Sequence, residues 1–240
     1  MVIIGASVSQ GFTFDEPLGG PKTKELALNR YIDAALLAPH QPAVNVGNAG
    51  FFILPNEIGH YQIRQALSNN PTLVIGIDFL FWFCYGRGDT DQERLEHFDE
   101  GLQLLEAVKC PLILGDIPDA SAAVNKALRP GQLAGAKARA EANRRLKEWA
   151  AKHGQVTVVP LAAFLRVVQA NGSLKVHGHE FARGTTLSLL QPDRLHPNCR
   201  GCAALAITIL DTFLSAHPAA DDPAVRWDPD DVLRKALSPK

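Results

Sequence analysis

The chain lacks the features that mark most specialised structural classes. Only four of its 240 residues are cysteine, which is too few for a disulfide framework. Lys and Arg total 24 and Asp and Glu total 25, so a net charge of −1 gives no electrostatic reason to expect nucleic acid or an anionic membrane as the main partner. With 46% hydrophobic and 20% charged residues, the composition excludes a disordered or collagen-like chain. One globular domain is the default for this length.

The longest apolar run is too short to cross a membrane. It covers residues 73–85 and is interrupted by Asp78, whereas a membrane-spanning helix needs about 20 apolar residues. Met1 continues directly into the apolar residues 2–4, without the basic segment and cleavage site of a signal peptide. We therefore expect a cytoplasmic protein with no membrane span. The sequence does not indicate an oligomeric state.

Short apolar segments alternate with longer amphipathic ones. Residues 72–77 are rich in β-branched side chains and apolar on both faces, which is typical of a parallel strand covered on both sides. This alternation predicts an α/β domain over residues 1–216, with a five-stranded parallel sheet between two helical layers, followed by a C-terminal surface extension over residues 217–240 that contains a short helix. The predicted strands are residues 2–4, 43–46, 72–77, 111–114 and 155–159, and the predicted helices are 24–38, 56–68, 91–108, 132–152, 162–169 and 198–215.

Polar residues and glycines follow several predicted strands. Ser7 comes after the first strand, Gly50 after the second and Asp78 after the third, and Asp193 and His196 come just before the last long helix. Ligands bind at the carboxyl ends of the strands in an open parallel sheet. We therefore expect these residues to converge at one edge of the sheet.

This set of groups suits acyl transfer. A serine hydroxyl needs a neighbouring base, and the base needs an acid that fixes its tautomer. Asp193 and His196 are three residues apart, so a single turn can bring the carboxylate to the imidazole and leave the other ring nitrogen for Ser7. Glycines near the serine allow backbone N–H groups to approach a developing oxyanion.

In their order and spacing, the four segments resemble the sequence blocks of the SGNH hydrolase (GDSL-type esterase/lipase) family. The family's last block, D-x-x-H, is matched in full by Asp193 and His196. Its second block supplies a glycine that falls on Gly50. The other two blocks are matched with departures: Gly5-Ala6-Ser7 with Gly11 falls on G-D-S-x-x-x-G, and Gly76-Ile77-Asp78-Phe79 falls on G-x-N-D.

The resemblance implies a three-layer, flavodoxin-like fold and hydrolysis of a small-molecule carboxylic ester without a cofactor. Ser7 would be the nucleophile, His196 the general base and then the acid, and Asp193 the residue that orients it. The resemblance also implies an oxyanion hole formed by the Ser7 and Gly50 N–H groups and by a third group. That third group is an asparagine amide in the family and falls on Asp78 here.

The replacement of this asparagine by Asp78 leaves several alternatives. Burial could keep Asp78 protonated, so that it donates a hydrogen bond to the oxyanion, and we favour this interpretation. Alternatively, its side chain turns away and the Ser7 and Gly50 N–H groups act alone or with Asn48. A further alternative is a binding or accessory protein on the same scaffold, without catalysis.

The aromatic run after the third strand lies near the predicted site. It either packs in the core or forms the apolar wall of a substrate pocket. On the second interpretation, we predict that Phe51, Phe79 and Trp82 line this pocket. Two further motifs, Cys199-x-x-Cys202 and His177-Gly178-His179, lack additional ligands in a zinc-binding pattern. We predict a structural role for the first, a loop for the second, and no metal site.

Overall fold

The computed structural model describes residues 1–12, 26–86, 88, 90–218 and 224–238. Five parallel strands form one sheet in the order β2-β1-β3-β4-β5, and β6 and β7 form a separate antiparallel pair. The strands are β1 Val2–Ile3, β2 Val44–Asn45, β3 Val74–Gly76, β4 Leu112–Gly115, β5 Val156–Val159, β6 Leu174–Val176 and β7 His179–Phe181. The helices are α1 Ser7–Gln10, α2 Leu28–Ala35, α3 Pro55–Ser68, α4 Phe81–Cys84, α5 Asp91–Leu105, α6 Ala136–Ala151, α7 Leu161–Gln169, α8 Cys199–Ala216 and α9 Pro229–Leu237.

Successive residues of the central strands face opposite helical layers. Val74 and Leu112 belong to a core shared with α3, α5 and α6. Ile75 and Ile113 belong to a core shared with α2, α7, α8 and α9. Because both faces of the sheet are covered, the strands are apolar throughout rather than alternating with polar residues. The predicted three-layer α/β fold is confirmed.

Each predicted strand and helix is present, with shifted ends. The first predicted helix, residues 24–38, corresponds to α2, and its residues 24 and 25 lie outside the described part of the chain. The sequence interpretation missed the short helices α1 and α4 and the β6–β7 hairpin. The hairpin turns at His177 and Gly178, whose φ angles are 41° and 84°. A positive φ at both central residues is characteristic of a type I′ turn.

The two C-terminal helices are integrated into the fold. By length and composition α8 could cross a membrane. Half of its 18 residues are buried inside the protein. Helix α9 packs against α2 and α8, and its Val232 and Ala236 are buried. The terminal helix was predicted, but the described part of the predicted surface extension is packed onto the domain.

Candidate active site

Ser7 lies in a sharp turn at the carboxyl edge of the sheet. After β1 the chain passes through Gly5, with φ +134°, into α1, which begins at Ser7. A Cβ at Gly5 would lie 2.1 Å from Asp78 Oδ1 and 2.5 Å from Ser9 Oγ. The turn therefore requires glycine at residue 5 both for its backbone conformation and for space.

The buried carboxyl group of Asp78 fixes this turn through hydrogen bonds. Its Oδ1 accepts hydrogen bonds from the Ala6 N–H at 2.9 Å and the Ser9 hydroxyl at 2.6 Å. Its Oδ2 accepts from the Val8 N–H at 2.8 Å and the Ser9 N–H at 3.3 Å. Asp78 therefore fixes the backbone on both sides of Ser7, as an N-cap residue does for the first turn of a helix.

A second buried side chain, Gln62 of α3, holds the start of the turn. Its Oε1 accepts from the Gly5 N–H at 2.7 Å, and its Nε2 donates to the Gly5 carbonyl at 2.8 Å. Gln62 and Asp78 together thus accept hydrogen bonds from the backbone N–H groups of residues 5, 6, 8 and 9. Among the described residues no acceptor is found for the remaining amide of this turn, the Ser7 N–H. This N–H is therefore free to bind an oxyanion.

The position of Asp78 corrects the role that we favoured from the sequence. Burial raises the pKa of Asp78, and the hydrogen bonds from Ser9, Ala6 and Val8 lower it without cancelling the effect of burial. However, both carboxyl oxygens face donors of the turn and neither is placed to donate towards an oxyanion at Ser7. The structure places Asp78 as an anchor of the turn, which is the second alternative considered above.

Ser7, His196 and Asp193 form a hydrogen-bonded relay. His196 Nε2 lies 2.8 Å from Ser7 Oγ, and His196 Nδ1 lies 2.5 Å from Asp193 Oδ2. Asp193 is fully buried and His196 is 6% exposed. If Nδ1 carries the proton that is shared with the carboxylate, Nε2 is the acceptor for the serine hydroxyl.

The Asp193–His196 segment is a compact turn held by its own residues. Asp193 Oδ1 accepts from the Leu195 and His196 N–H groups at 2.9 and 3.0 Å, and Arg194 adopts φ +67° between them. Burial by itself would raise the pKa of Asp193. The bonds and charge of His196, with these two amides, outweigh burial and leave the pKa of Asp193 below its usual range. A charged carboxylate is thus kept against the imidazole.

Gly50 lies in a 3-10 turn, Ala49–Phe52, beside the turn that carries Ser7. The Asn48 N–H donates to the Gly5 carbonyl at 2.9 Å, which ties the two turns together. The Gly50 N–H donates to Asn48 Oδ1 at 2.8 Å. To bind an oxyanion, this N–H would have to exchange the Asn48 oxygen for the substrate.

The three aromatic residues predicted to line a pocket have different positions. Phe51 and Phe79 are fully buried, with ring centroids 5.4 Å apart, and both pack against Phe83. They are core residues, and that part of the prediction was wrong. Trp82 does line a hollow, together with Phe52, whose ring centroid is 5.5 Å from that of Trp82.

Within the described part of the chain, two sizeable hollows meet at Ser7 and His196, besides a third of only about 10 Å³. One is a small cavity of about 50 Å³, lined by apolar side chains from α4, α7 and the segment before α8. The other is a groove of about 1280 Å³, whose walls include the Ala49–Phe52 turn, α5 and residues 125–132. The sequence interpretation missed the apolar cavity because its residues are far apart in the chain and are joined by no motif.

The two remaining motifs are the Cys199–Cys202 pair and the His177-Gly178-His179 segment. Cys199 and Cys202 are not joined by a disulfide. His177 Nδ1 lies 2.8 Å from Asp211 Oδ1, and its ring stacks on Trp227. Within the described ranges there is no group of three or more His, Cys, Asp or Glu residues arranged to hold a metal ion.

The fold and the geometry of the site can be compared with known proteins. No protein-family model and no curated protein matches the sequence. Among solved structures, the lipase/acylhydrolase from Enterococcus faecalis is similar, with a TM-score of 0.56, 18% identity, and 95% of this chain and 97% of that chain covered. A gut microbial diltiazem-metabolizing enzyme is also similar, with a TM-score of 0.52 and 17% identity. The alignment covers 92% of this chain and 47% of that chain. The chain thus has the lipase/acylhydrolase fold, consistent with the SGNH hydrolase resemblance.

Proposed function

We propose that the protein is a serine esterase that hydrolyses carboxylic esters through an acyl-Ser7 intermediate. The observation that carries the proposal is the relay from Ser7 Oγ through the His196 ring to Asp193, with contacts of 2.8 and 2.5 Å. Its three residues lie on two segments that are far apart in sequence and meet at the edge where ligands bind in this class of sheet. The similarity to a lipase/acylhydrolase supports the same reaction class.

In the first half of the reaction, His196 Nε2 takes the Ser7 hydroxyl proton as Oγ attacks the ester carbonyl. The imidazolium that forms is stabilised by the Asp193 carboxylate. The tetrahedral oxyanion is bound by the Ser7 N–H and by the Gly50 N–H after it leaves Asn48. The proton on His196 then passes to the alcohol oxygen, the C–O bond breaks and the alcohol departs.

The second half repeats these steps with water. His196 Nε2 takes a proton from a water molecule, which attacks the acyl carbonyl. The proton then returns to Ser7 Oγ as the acyl–oxygen bond breaks, and the carboxylic acid is released.

The competing hypothesis is a binding or accessory protein on the same scaffold. Its motivation was the carboxylate at residue 78, which would repel an oxyanion if it faced the substrate. The hydrogen bonds of Asp78 to the nucleophile turn weaken this motivation, because they direct both oxygens to backbone donors.

Covalent labelling separates the two hypotheses. Incubation with diethyl p-nitrophenyl phosphate should add one diethylphosphoryl group to Ser7, detected by intact mass and peptide mapping. Ser7→Ala should remain unlabelled. Ser9→Ala is the matched control, because Ser9 Oγ bonds Asp78 and the Ile4 carbonyl rather than His196, and it should still be labelled. A folded wild-type protein that is neither labelled nor active on p-nitrophenyl acetate would contradict the esterase proposal.

A further inference from the structure

The two larger hollows at Ser7 differ in size and in the chemistry of their walls. A substrate bound across both of them would therefore consist of two unequal parts. The small cavity has a volume of about 50 Å³ and the groove about 1280 Å³. Both include Ser7 and His196 in their walls, as does a third hollow, whose volume of about 10 Å³ leaves room for no more than a water molecule. A scissile ester bond at Ser7 would therefore have one side in each of the two larger hollows. The question is which side carries the acyl chain.

The small cavity suits a short apolar chain. Apart from Ser7, Asp78 and His196, its walls are apolar, and Asp78 directs its oxygens to the nucleophile turn. A polar group placed there would lose its water without finding a partner. Its volume is about one third of the ~150 Å³ cavity known to take a benzene ring, so it holds only a few heavy atoms.

The access of water to the acyl-enzyme decides which hollow holds the acyl chain and which holds the alcohol. The water that attacks the acyl-enzyme must occupy the place that the alcohol has left beside His196. The walls of the small cavity are almost entirely apolar, whereas the groove is large and carries polar and charged side chains beside its apolar ones, so water is held better in the groove. The alcohol, and later the water, therefore occupy the groove, and the acyl chain occupies the cavity.

The groove indicates the kind of alcohol. Near the nucleophile its wall is aromatic, formed by Phe52, which is 42% exposed, and Trp82. Further along, Lys126 and Arg129 belong to the wall. Their side chains are hydrogen-bond donors only and therefore select for acceptor groups. Glu93 and His97 also belong to the wall, so the groove is polar rather than uniformly cationic.

We propose that the preferred substrates are esters of short, unbranched acids with about two to four carbons and a bulky amphipathic alcohol, which places a ring or alicyclic face on Phe52 and Trp82 and acceptor groups towards Lys126 and Arg129. This inference rests on the proposed esterase function. It assigns the cavity to the acyl group and the groove to the alcohol.

The acyl assignment is tested with p-nitrophenyl esters of two to ten carbons. Up to about four carbons, kcat/KM should rise about fourfold per added methylene, because each is buried in an apolar cavity. From butanoate to octanoate it should fall by about 100-fold or more, because the chain no longer fits. Undiminished activity up to ten carbons would overturn the inference.

A pair of substitutions at Leu161 in the cavity wall tests the same assignment from the protein side. Leu161→Ala should move the preferred length up by about one to three carbons, since it removes three carbon atoms from a half-buried residue. Leu161→Phe should shift the preference towards acetate. Val167→Ala, on the same helix but outside the cavity wall, is the control and should leave the preference unchanged. Unchanged preference in both Leu161 variants would also overturn the inference.

The alcohol assignment is tested with acetate esters of different alcohols. Phe52→Ala should raise KM for 1-naphthyl acetate by about tenfold and leave KM for ethyl acetate unchanged, because only the larger alcohol reaches the aromatic wall. Leu37→Ala, at a remote exposed leucine, is the control. Equal effects of Phe52→Ala on both esters would contradict the assignment. Failure of Ser7 to react with diethyl p-nitrophenyl phosphate would reject the esterase function, whereas a labelled Ser7 with the opposite chain preference would reject only this inference.

Discussion

The two turns that carry the candidate catalytic residues are held in opposite ways. The turn at Ser7 depends on side chains 57 to 72 positions away in sequence, those of Gln62 and Asp78. The turn at His196 depends on Asp193, only three positions away. The first turn presents Ser7 and the second presents the other two members of the relay, and Ser7 and His196 meet across 189 positions.

This difference explains why the conformation of the second turn can be predicted from its local sequence and that of the first cannot. A D-x-x-H segment contains its own hydrogen-bond acceptor, so its spacing predicts its conformation. The segment around Ser7 has no local acidic residue, since Ala6 and Ser9 flank it on the two sides. The carboxylate that anchors it comes from the end of β3, and only the packing of the sheet brings it there.

The largest expected effects come from the relay itself. Ser7→Ala and His196→Ala should each lower kcat by at least ~10³-fold, because nucleophile and base act as a unit. Asp193→Asn should also be severe, since it favours the wrong imidazole tautomer. Steady-state assays with p-nitrophenyl acetate measure the loss, and circular dichroism checks that the fold is retained. Loss of activity in Ser9→Ala but not in Ser7→Ala would show that the wrong serine has been assigned.

Removal of the distant anchor should be the next largest effect. Asp78→Ala leaves the Ala6, Val8 and Ser9 amides without their acceptor, and each buried unsatisfied group costs about 1–3 kcal/mol. We expect the free energy of unfolding, measured in urea, to fall by at least ~2 kcal/mol and kcat to fall by about 10²-fold because Ser7 is mispositioned. Near-wild-type values of both would contradict the role of Asp78 as an anchor.

A smaller effect is expected for the other anchor. Gln62→Ala removes two hydrogen bonds to Gly5 and should lower the free energy of unfolding by about 1–3 kcal/mol. Because the Asp78 bonds remain, we expect kcat to fall by only about tenfold. Gln65→Ala on the same helix is the matched control, because Gln65 is only half-buried. Equal losses in the two variants would show that the bonds to Gly5 do not matter.

The smallest effect concerns the pH dependence of stability. Burial raises the pKa of Asp78 in the folded protein above its unfolded value, so the native state binds more protons between the two values. The contribution of Asp78 to stability is therefore full below the unfolded pKa and is lost as pH rises through the folded pKa. Asp193 has the opposite sign: its pKa is lowered, and its contribution is lost as pH falls through the folded value.

Urea unfolding of wild type and Asp78→Asn across the acidic pH range measures the Asp78 contribution. The stability difference, wild type minus variant, should decrease as pH rises, because the amide cannot ionise. Asp193→Asn provides the comparison and should show a difference that increases as pH rises from strongly acidic values. A wild-type advantage over Asp78→Asn that grows with pH would mean that the folded protein favours the charged carboxylate instead.

The sequence by itself determined the layered α/β fold and the turn that joins Asp193 to His196. Strand and helix periodicity are local properties, and the strands are apolar on both faces because both faces are covered. It also indicated Ser7 as the candidate nucleophile, by its position after β1. The missed elements are α1, α4 and the β6–β7 hairpin. Each of their segments has only three or four residues, which is too short for periodicity to reveal.

Only the tertiary structure decided the role of Asp78 and the destination of the aromatic side chains. The hydrogen-bond partners of Asp78 lie about 70 positions away, so no spacing in the sequence records whether its carboxyl group faces the substrate or the backbone. Phe79 and Trp82 are three residues apart in one apolar run and both are buried, yet only Trp82 also reaches the wall of the groove. The two side chains point in different directions from the short segment after β3. Each therefore meets different helices and turns that pack against this segment.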